Sequence, residues 1–138
     1  MLMDETELQY GELPYECRIV SFFDTLGWRN QIQEAGTDPR YIARLASVPR
    51  MFAATVLEFS KSVPGAQLTA FSDNVIVSVP YSPDRLQWSL EGLSKLQLGL
   101  AFAGFWVRGA TTVGDLVHDD SVVFGPALNR AYELYQRR

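Results

Sequence analysis

The spacing of apolar residues predicts a chain in which strands and helices alternate. Residues 18–23 form a mostly apolar run of strand length, and residues 25–35 predict a short helix that Gly36 ends. Asp38 and Pro39 then begin a second helix, because Asp is a favoured N-cap and Pro fits the first helical position. The first half of the chain therefore predicts one strand followed by two helices.

The second half of the chain predicts two pairs of strands separated by a long helix. Residues 68–77 resemble a hairpin with Asp73 at its tip, and leucines recur at helical spacing from about residue 84 to 100. Residues 107–124 predict a second strand pair, and Gly125-Pro126 begins a last helix that the end of the chain cuts short. The predicted order is β-αα-ββ-α-ββ-α, without internal repeats or long linkers.

Composition limits the functional classes that this chain can belong to. Its 138 residues are 47% hydrophobic and 20% charged, which fits one globular domain. The formal net charge of −4 gives no reason to expect a nucleic-acid surface. Cys17 is the only cysteine, which excludes an internal disulfide, and we expect it to be buried. Residues 1–16 are acidic and no long apolar run occurs, so we expect a cytoplasmic protein without signal peptide or membrane insertion.

Two acidic residues follow the predicted buried strands. Asp24 ends the first strand, and Asp73 lies at the tip of the hairpin. If these strands pair, the carboxylates converge and repel each other, and a divalent cation between them relieves the repulsion. Mg²⁺ and Mn²⁺ take one or two carboxylates and leave positions for phosphate oxygens, and two such ions can stabilise a displacement at phosphorus. The pair predicts a site for a nucleoside triphosphate.

The same residues also have structural interpretations. Asp24 could cap the following helix, and Asp73 could simply occupy a turn, where Asp is common. The run His118-Asp119-Asp120 contains metal-ligand residue types, but consecutive side chains at a turn diverge, and a solvated turn is the better interpretation. Trp28 and Tyr41 could stack on a base, although aromatic residues more often pack in a core or an interface.

Four segments of the chain resemble the class III nucleotidyl cyclase catalytic domain. They are FFDTLGW from Phe22, FSDN from Phe71, RGATTVGDLVHDD from Arg108 and VVFGPALNRAYEL from Val122. Within that superfamily the greatest similarity is to the small bacterial pyrimidine cyclases of the Pycsar anti-phage system. The resemblance extends from about Arg18 to the C-terminus, which is nearly the whole chain.

This resemblance implies an α+β fold with a ferredoxin-like core, in which helices pack on an antiparallel sheet. It assigns residues 17–138 to the catalytic domain and residues 1–16 to an N-terminal extension. It also implies a head-to-tail homodimer with active sites shared between the protomers. Relatives continue past the last helix with a segment that completes the sheet, so the C-terminus is expected to be short and the domain incomplete there.

The resemblance also assigns site residues. Asp24 and Asp73 match the ligands of two Mn²⁺ or Mg²⁺ ions, and Thr25 would add its backbone carbonyl. Asn129 matches the residue that orients the ribose in purine cyclases, although it could instead cap or pack its helix. N–H groups at the start of the first helix would hold the β- and γ-phosphates. The full set of substrate-binding candidates is Leu26, Gly27, Trp28, Thr69, Val122, Arg130 and Tyr41.

The chain departs from the purine cyclases at several functional positions. Glu133 stands where they have a transition-state arginine, so that role passes to Arg108 or Arg130 or is lost; Arg108 could also be an ordinary salt-bridge residue. Their base-selecting lysine and acid fall at Thr69 and Val122, which lack the polar groups that select a purine.

We therefore expect a pyrimidine nucleotide cyclase. It would convert UTP, or CTP, to 3′,5′-cyclic UMP or CMP and pyrophosphate, as a second-messenger synthase whose product acts on a separate effector protein in bacterial anti-phage defence. The preference for UTP rests on the resemblance alone. The alternative is an inactive cyclase-like module for dimerisation or nucleotide sensing, which the missing arginine and the short C-terminus favour.

Overall fold

The computed structural model describes residues 10–137, and within that range five strands form one sheet with helices on both faces. The strands are β1 (Glu16–Thr25), β2 (Gln67–Phe71), β3 (Asn74–Pro80), β4 (Val107–His118) and β5 (Val123–Phe124). The helices are α1 (Trp28–Ala35), α2 (Pro39–Ser60), α3 (Pro83–Phe102) and α4 (Pro126–Gln136). The strand order is β2-β3-β1-β4-β5, and every neighbouring pair is antiparallel. The predicted α+β class and the predicted order of elements are confirmed.

The central strand β1 is buried on both faces, which explains why its sequence is an apolar run without alternation. Phe23 points to the face covered by α2 and α3, where its ring centroid lies 5.1 Å from that of Phe52. Val20 points to the opposite face, where it packs with Leu116 of β4 and Ala127 of α4. Since successive side chains of a strand alternate between faces, Asp24 lies on the α4 face of the sheet.

A two-residue turn joins β2 to β3 and places Asp73 at the end of the sheet. Phe71 pairs with Asn74, so only Ser72 and Asp73 lie between the strands. Ser72 has a φ of 55°, the left-handed conformation that short hairpin turns require. The hairpin predicted from the sequence is therefore present, with its tip as expected.

Several local predictions differ from the structure. Helix α1 begins at Trp28, three residues later than predicted, because Thr25 still pairs with Val107 in the sheet. His118 is buried at the end of β4 rather than lying in a solvated turn, because it bonds to residues of β2 and β3. Cys17 is exposed, since the buried part of β1 begins one residue later.

The remaining predictions concern the two ends of the chain and the hydrophobicity of its helices. Helix α4 ends at Gln136, and Arg137 already has an extended backbone. The first nine positions of the acidic segment 1–16 lie outside the described residues. Among the helices of residues 10–137, none combines the length and the hydrophobicity needed to cross a membrane.

Candidate active site

Pairing of three strands brings the two acidic residues to one end of the sheet. Asp24 of β1 lies directly opposite Asn74 of β3 on one side and Arg108 of β4 on the other. Asp73 immediately precedes Asn74, so the hairpin tip extends past the end of β1. Asn74, and not Asp73, is the residue directly opposite Asp24, but the turn that precedes Asn74 leaves Asp73 close enough for the two carboxyl groups to interact.

The two carboxyl groups interact electrostatically. The pKa of Asp73 is raised to about 6, first by partial burial and then by the neighbouring Asp24 carboxylate, whose negative charge disfavours ionisation of Asp73. Two carboxylates that share a site disfavour ionisation of one of them. The pair is therefore suited to take up a proton or a cation.

Asp24 has one satisfied oxygen and one unsatisfied oxygen. Tyr135 of α4 donates its hydroxyl hydrogen to Asp24 Oδ2. Asp24 Oδ1 is buried and has no hydrogen-bond partner among residues 10–137. Leaving a buried acceptor unpaired is unfavourable, so such an atom calls for an explanation. A hard divalent cation, which prefers carboxylate oxygens, fits this donor atom.

The coordination of such an ion would need ligands other than side chains. Within the described part of the chain, no group of three or more His, Cys, Asp or Glu side chains could hold a metal. Two carboxylates leave most coordination positions open, as is usual for Mg²⁺ sites that also bind substrate phosphates. The residues present therefore fit an ion that is bound together with a phosphate-bearing ligand.

Arg108 belongs to the same cluster. Its Nη2 donates to the Tyr135 hydroxyl at 3.1 Å, and its Cζ lies 4.7 Å from the centre of the Tyr135 ring. Its Nε is buried and has no partner among the described residues. The other arginine candidate, Arg130, is exposed and donates to the carbonyl of Val113. Of the two, only Arg108 contacts the Asp24 cluster.

Tyr135 was missed in the sequence analysis. Burial raises its pKa, and so does the hydrogen bond to Asp24, so the hydroxyl stays protonated and remains a donor at neutral pH. A signal for it exists in the sequence. Ala127 and Ala131 are the buried residues of α4, and a spacing of four places Tyr135 on the same side of the helix.

The loop between β1 and α1 offers fewer free N–H groups than expected. The N–H of Leu26 already donates to the carbonyl of Trp106 at 2.8 Å. Gly27 has a φ of 68° and precedes the first residue of α1, Trp28, whose side chain packs against the core. The first N–H groups of a helix have no partner within the helix, so those at the start of α1 remain the phosphate-binding candidates in this loop.

The candidate base-binding residues are spread over different parts of the fold. Thr69 Oγ1, on the edge strand β2, is half-buried and lies 2.8 Å from His118 Nε2. Val122 belongs to the turn after β4, where its N–H donates to Asp119 at 2.9 Å. Tyr41 packs against the α2/α3 core, and its hydroxyl is 3.4 Å from a carboxylate oxygen of Glu34. None of these side chains is among the contacts that the described structure gives Asp24.

Asn129 is exposed on α4 and makes no side-chain hydrogen bond to the Asp24 cluster within the described residues. Its backbone N–H donates to Gly125 in the first turn of the helix. Its side chain is therefore accessible to another molecule.

Comparison with solved structures identifies the fold. A bacterial light-regulated adenylyl cyclase superposes with a TM-score of 0.67 at 13% identity, covering 89% of this chain and 70% of the other. The guanylyl cyclase Cya2 gives a TM-score of 0.60 at 12% identity, covering 88% and 70%. No protein-family model and no curated protein matches the chain. The chain has the fold of class III nucleotide cyclases, as predicted.

Proposed function

We propose that the chain is a nucleotide cyclase domain whose active site contains Asp24 and Asp73. The observation that carries the proposal is the buried, unpartnered Oδ1 of Asp24 beside a second carboxyl group with a raised pKa. The adenylyl and guanylyl cyclases with the same fold support a nucleoside triphosphate as the substrate. The Thr25 backbone carbonyl would complete the protein ligands.

The reaction forms one bond and breaks one bond at the α-phosphorus. The ribose 3′-oxygen attacks the α-phosphorus, its proton passes to solvent, and the bond to the β-phosphate oxygen breaks to release pyrophosphate. Two Mn²⁺ or Mg²⁺ ions would supply charge stabilisation of the attacking and leaving oxygens. Asp24 and Asp73 would hold these ions, and the N–H groups of Gly27 and Trp28 would bind the terminal phosphates.

Arg108 is the proposed replacement for the missing transition-state arginine. It is the arginine that contacts the Asp24 cluster, and its buried Nε still lacks a partner among the described residues. Removing a hydrogen-bond donor that faces the negative charge developing in the transition state typically raises the activation free energy by about 3 kcal/mol. Arg108→Lys should therefore lower kcat by about 100-fold, while Arg130→Lys, on the exposed side of α4, changes it much less.

The proposed substrate is a pyrimidine nucleotide, with UTP ahead of CTP. Thr69 and Val122 replace a lysine and an acid, and Thr69 is already hydrogen-bonded to His118. Each purine polar group left unpaired costs about 1–3 kcal/mol, so two of them weaken purine binding by roughly 30-fold or more. In a bacterial host, the cyclic nucleotide would serve as a second messenger in anti-phage defence and act on a separate effector.

The proposed assembly is a head-to-tail homodimer. Asn129 is exposed on its own chain, so its ribose contact would be made in the partner's site. Mixing inactive Asp73→Asn chains with Asn129→Ala chains should restore activity, because a heterodimer rebuilds one intact site. A fully active monomer in sedimentation would overturn the shared site.

The deciding experiment is incubation with each of the four nucleoside triphosphates and Mn²⁺, followed by mass analysis of the products. We expect cyclic UMP above cyclic CMP, with purine products far behind, and no product from Asp73→Asn. Faster cyclisation of ATP or GTP would overturn the interpretation of Thr69 and Val122. Unchanged turnover by Asp73→Asn would overturn the two-metal site.

The second candidate function is a catalytically inactive nucleotide-sensing or dimerisation module. Two observations favour it. Glu133 stands at the position of the transition-state arginine, and Arg130 is exposed and donates to the carbonyl of Val113. Nucleotide binding without any cyclic product, in the presence of Mn²⁺, is the result that would select this alternative.

A further inference from the structure

We infer that Tyr135 is a positioning residue that fixes the Asp24 carboxylate through Oδ2 and leaves Oδ1 for a divalent cation. The inference rests on the proposed metal site and adds a residue to it. Tyr135 lies on α4, outside the strand ends and the loop that carry the ligand candidates, and acts through Asp24.

The Tyr135 side chain is held from two sides. Its ring packs edge-on against Phe22, which lies two residues before Asp24 on the same face of β1, with centroids 5.1 Å apart and planes at 66°. Arg108 covers the other part of the side chain, with Cζ 4.7 Å from the ring centre and a hydrogen bond to the hydroxyl. A hydroxyl restrained in this way can define the orientation of the carboxylate to which it donates.

The choice of a tyrosine hydroxyl has an electrostatic consequence. Arg108 lies directly opposite Asp24 in the sheet, yet the two form no ion pair within the described residues. Tyr135 stands between them, accepting from Arg108 and donating to Asp24. A neutral donor satisfies one carboxylate oxygen without neutralising its charge, so the other oxygen remains a good ligand for a cation. Hydrogen-bonded carboxylate ligands of this kind are a common feature of metal sites.

The same helix offers a matched control. Tyr132 lies one turn before Tyr135 and also packs edge-on against Phe22, with centroids 5.5 Å apart. Its hydroxyl has no hydrogen-bond partner in the described part of the chain, and its side chain is 46% exposed. Replacing either tyrosine by Phe keeps the ring and removes only a hydroxyl, so the pair separates hydrogen bonding from packing.

The test is Mn²⁺ binding by the nucleotide-free protein, followed through the electron paramagnetic resonance signal of free Mn²⁺. Loss of such an outer hydrogen bond typically weakens metal binding by about 10-fold or more, which is the effect expected for Tyr135→Phe. Tyr132→Phe should bind Mn²⁺ as the wild type does. In a cyclase assay, Tyr135→Phe should raise the Mn²⁺ concentration for half-maximal rate, with an unchanged KM for nucleotide at saturating Mn²⁺.

The outcomes separate this inference from the proposed function. Equal Mn²⁺ affinity in Tyr135→Phe and the wild type overturns the positioning role and leaves the cyclase proposal standing. Tighter binding by Tyr135→Phe also overturns it, because the hydroxyl would then compete with the cation. A wild type that binds no Mn²⁺, or binds it as Asp73→Asn does, overturns the metal site and this inference together.

Discussion

The buried polar groups at the two ends of β1 differ in whether they have hydrogen-bond partners. At one end, Asp24 faces a second carboxyl group and keeps one oxygen without a partner. At the other end, Arg18 is only 3% exposed, and its guanidinium donates to the hydroxyl of Ser78 at 2.9 Å, to the carbonyls of Ser78 and Gly65, and to Glu16 at 2.8 Å. The same strand therefore ends in one satisfied network and one unsatisfied network.

The titratable groups follow the same division. His118 lies between two hydroxyls, 2.6 Å from Ser78 and 2.8 Å from Thr69, which supply the donor and the acceptor that a neutral imidazole needs. Burial and the charge of Arg18 lower its pKa to about 4. The pKa of Asp73 moves the other way, to about 6. The Arg18 end is stable in its neutral-pH state, whereas the Asp24 end needs a proton or a cation.

The largest predicted effect on stability is at the satisfied end. Arg18→Met leaves the hydroxyl and the carbonyl of the fully buried Ser78 without the Arg18 donor, which should cost about 3 kcal/mol of unfolding free energy. Urea denaturation at pH 7.5 measures this. Arg130→Met, at an exposed arginine that also donates to a carbonyl, is the control and should change stability by about 0.5 kcal/mol or less. Equal effects at the two arginines would erase the proposed difference.

The sequence predicted the fold better than it predicted the contacts around the site. The helix caps, the hairpin turn and the apolar run of β1 are local signals, and they sufficed for the order of elements and for the approach of Asp73 to Asp24. The roles of Asn129, Thr69 and Val122 stay predictions. Asn129 would act across a dimer, and the contacts of Thr69 and Val122 in the structure are with His118 and Asp119.

What the sequence did not predict depends on long-range contacts. His118 lies in a polar run that locally resembles a turn, and its burial follows from bonds to Thr69 and Ser78, which are 49 and 40 positions away. Tyr135 contacts Asp24 across 111 positions, and its importance follows only from the way α4 packs on the sheet. Such residues are recognised once the strand register and the helix packing are known.

The second prediction concerns the pH dependence that His118 contributes. The pKa of His118 is about 4 in the folded protein, against an ordinary value of 6.5, so the unfolded chain gains a proton first as the pH falls. Its stabilising contribution is complete above pH 6.5 and is lost between 6.5 and 4. Between pH 7.5 and 5 the wild type should lose about 1.5 kcal/mol more than His118→Gln, with solvent screening allowed for.

The free energy of unfolding at pH 7.5 and at pH 5 measures this contribution, and substitution of a charged neighbour of the ring shows how the charge affects it. Arg18 and Asp119 act on His118 in opposite directions, and the effect of Arg18 exceeds that of Asp119. Removing the carboxylate in Asp119→Asn should therefore steepen the loss of stability slightly, while His118→Gln flattens it. Identical pH profiles for the wild type and His118→Gln would show that folding does not lower the pKa of His118.

The smallest predicted effect has the opposite sign and lies at the Asp24 end. The pKa of Asp73 is about 6 in the folded protein, against an ordinary value of 3.8, so its stabilising contribution is complete below pH 3.8 and is lost as the pH rises through 6. Without metal at pH 7.5, Asp73→Asn should thus be more stable than the wild type by about 1 kcal/mol, since solvent screening reduces the effect at this partly exposed group. The gain should disappear below pH 4, where the wild-type carboxyl is also neutral.

Mn²⁺ should raise the Tm of the wild type and leave that of Asp73→Asn nearly unchanged, because a ligand stabilises only the form that binds it. A variant less stable than the wild type in the absence of metal would mean that the carboxylate is already satisfied, and the two ends of β1 would then not differ in the way proposed.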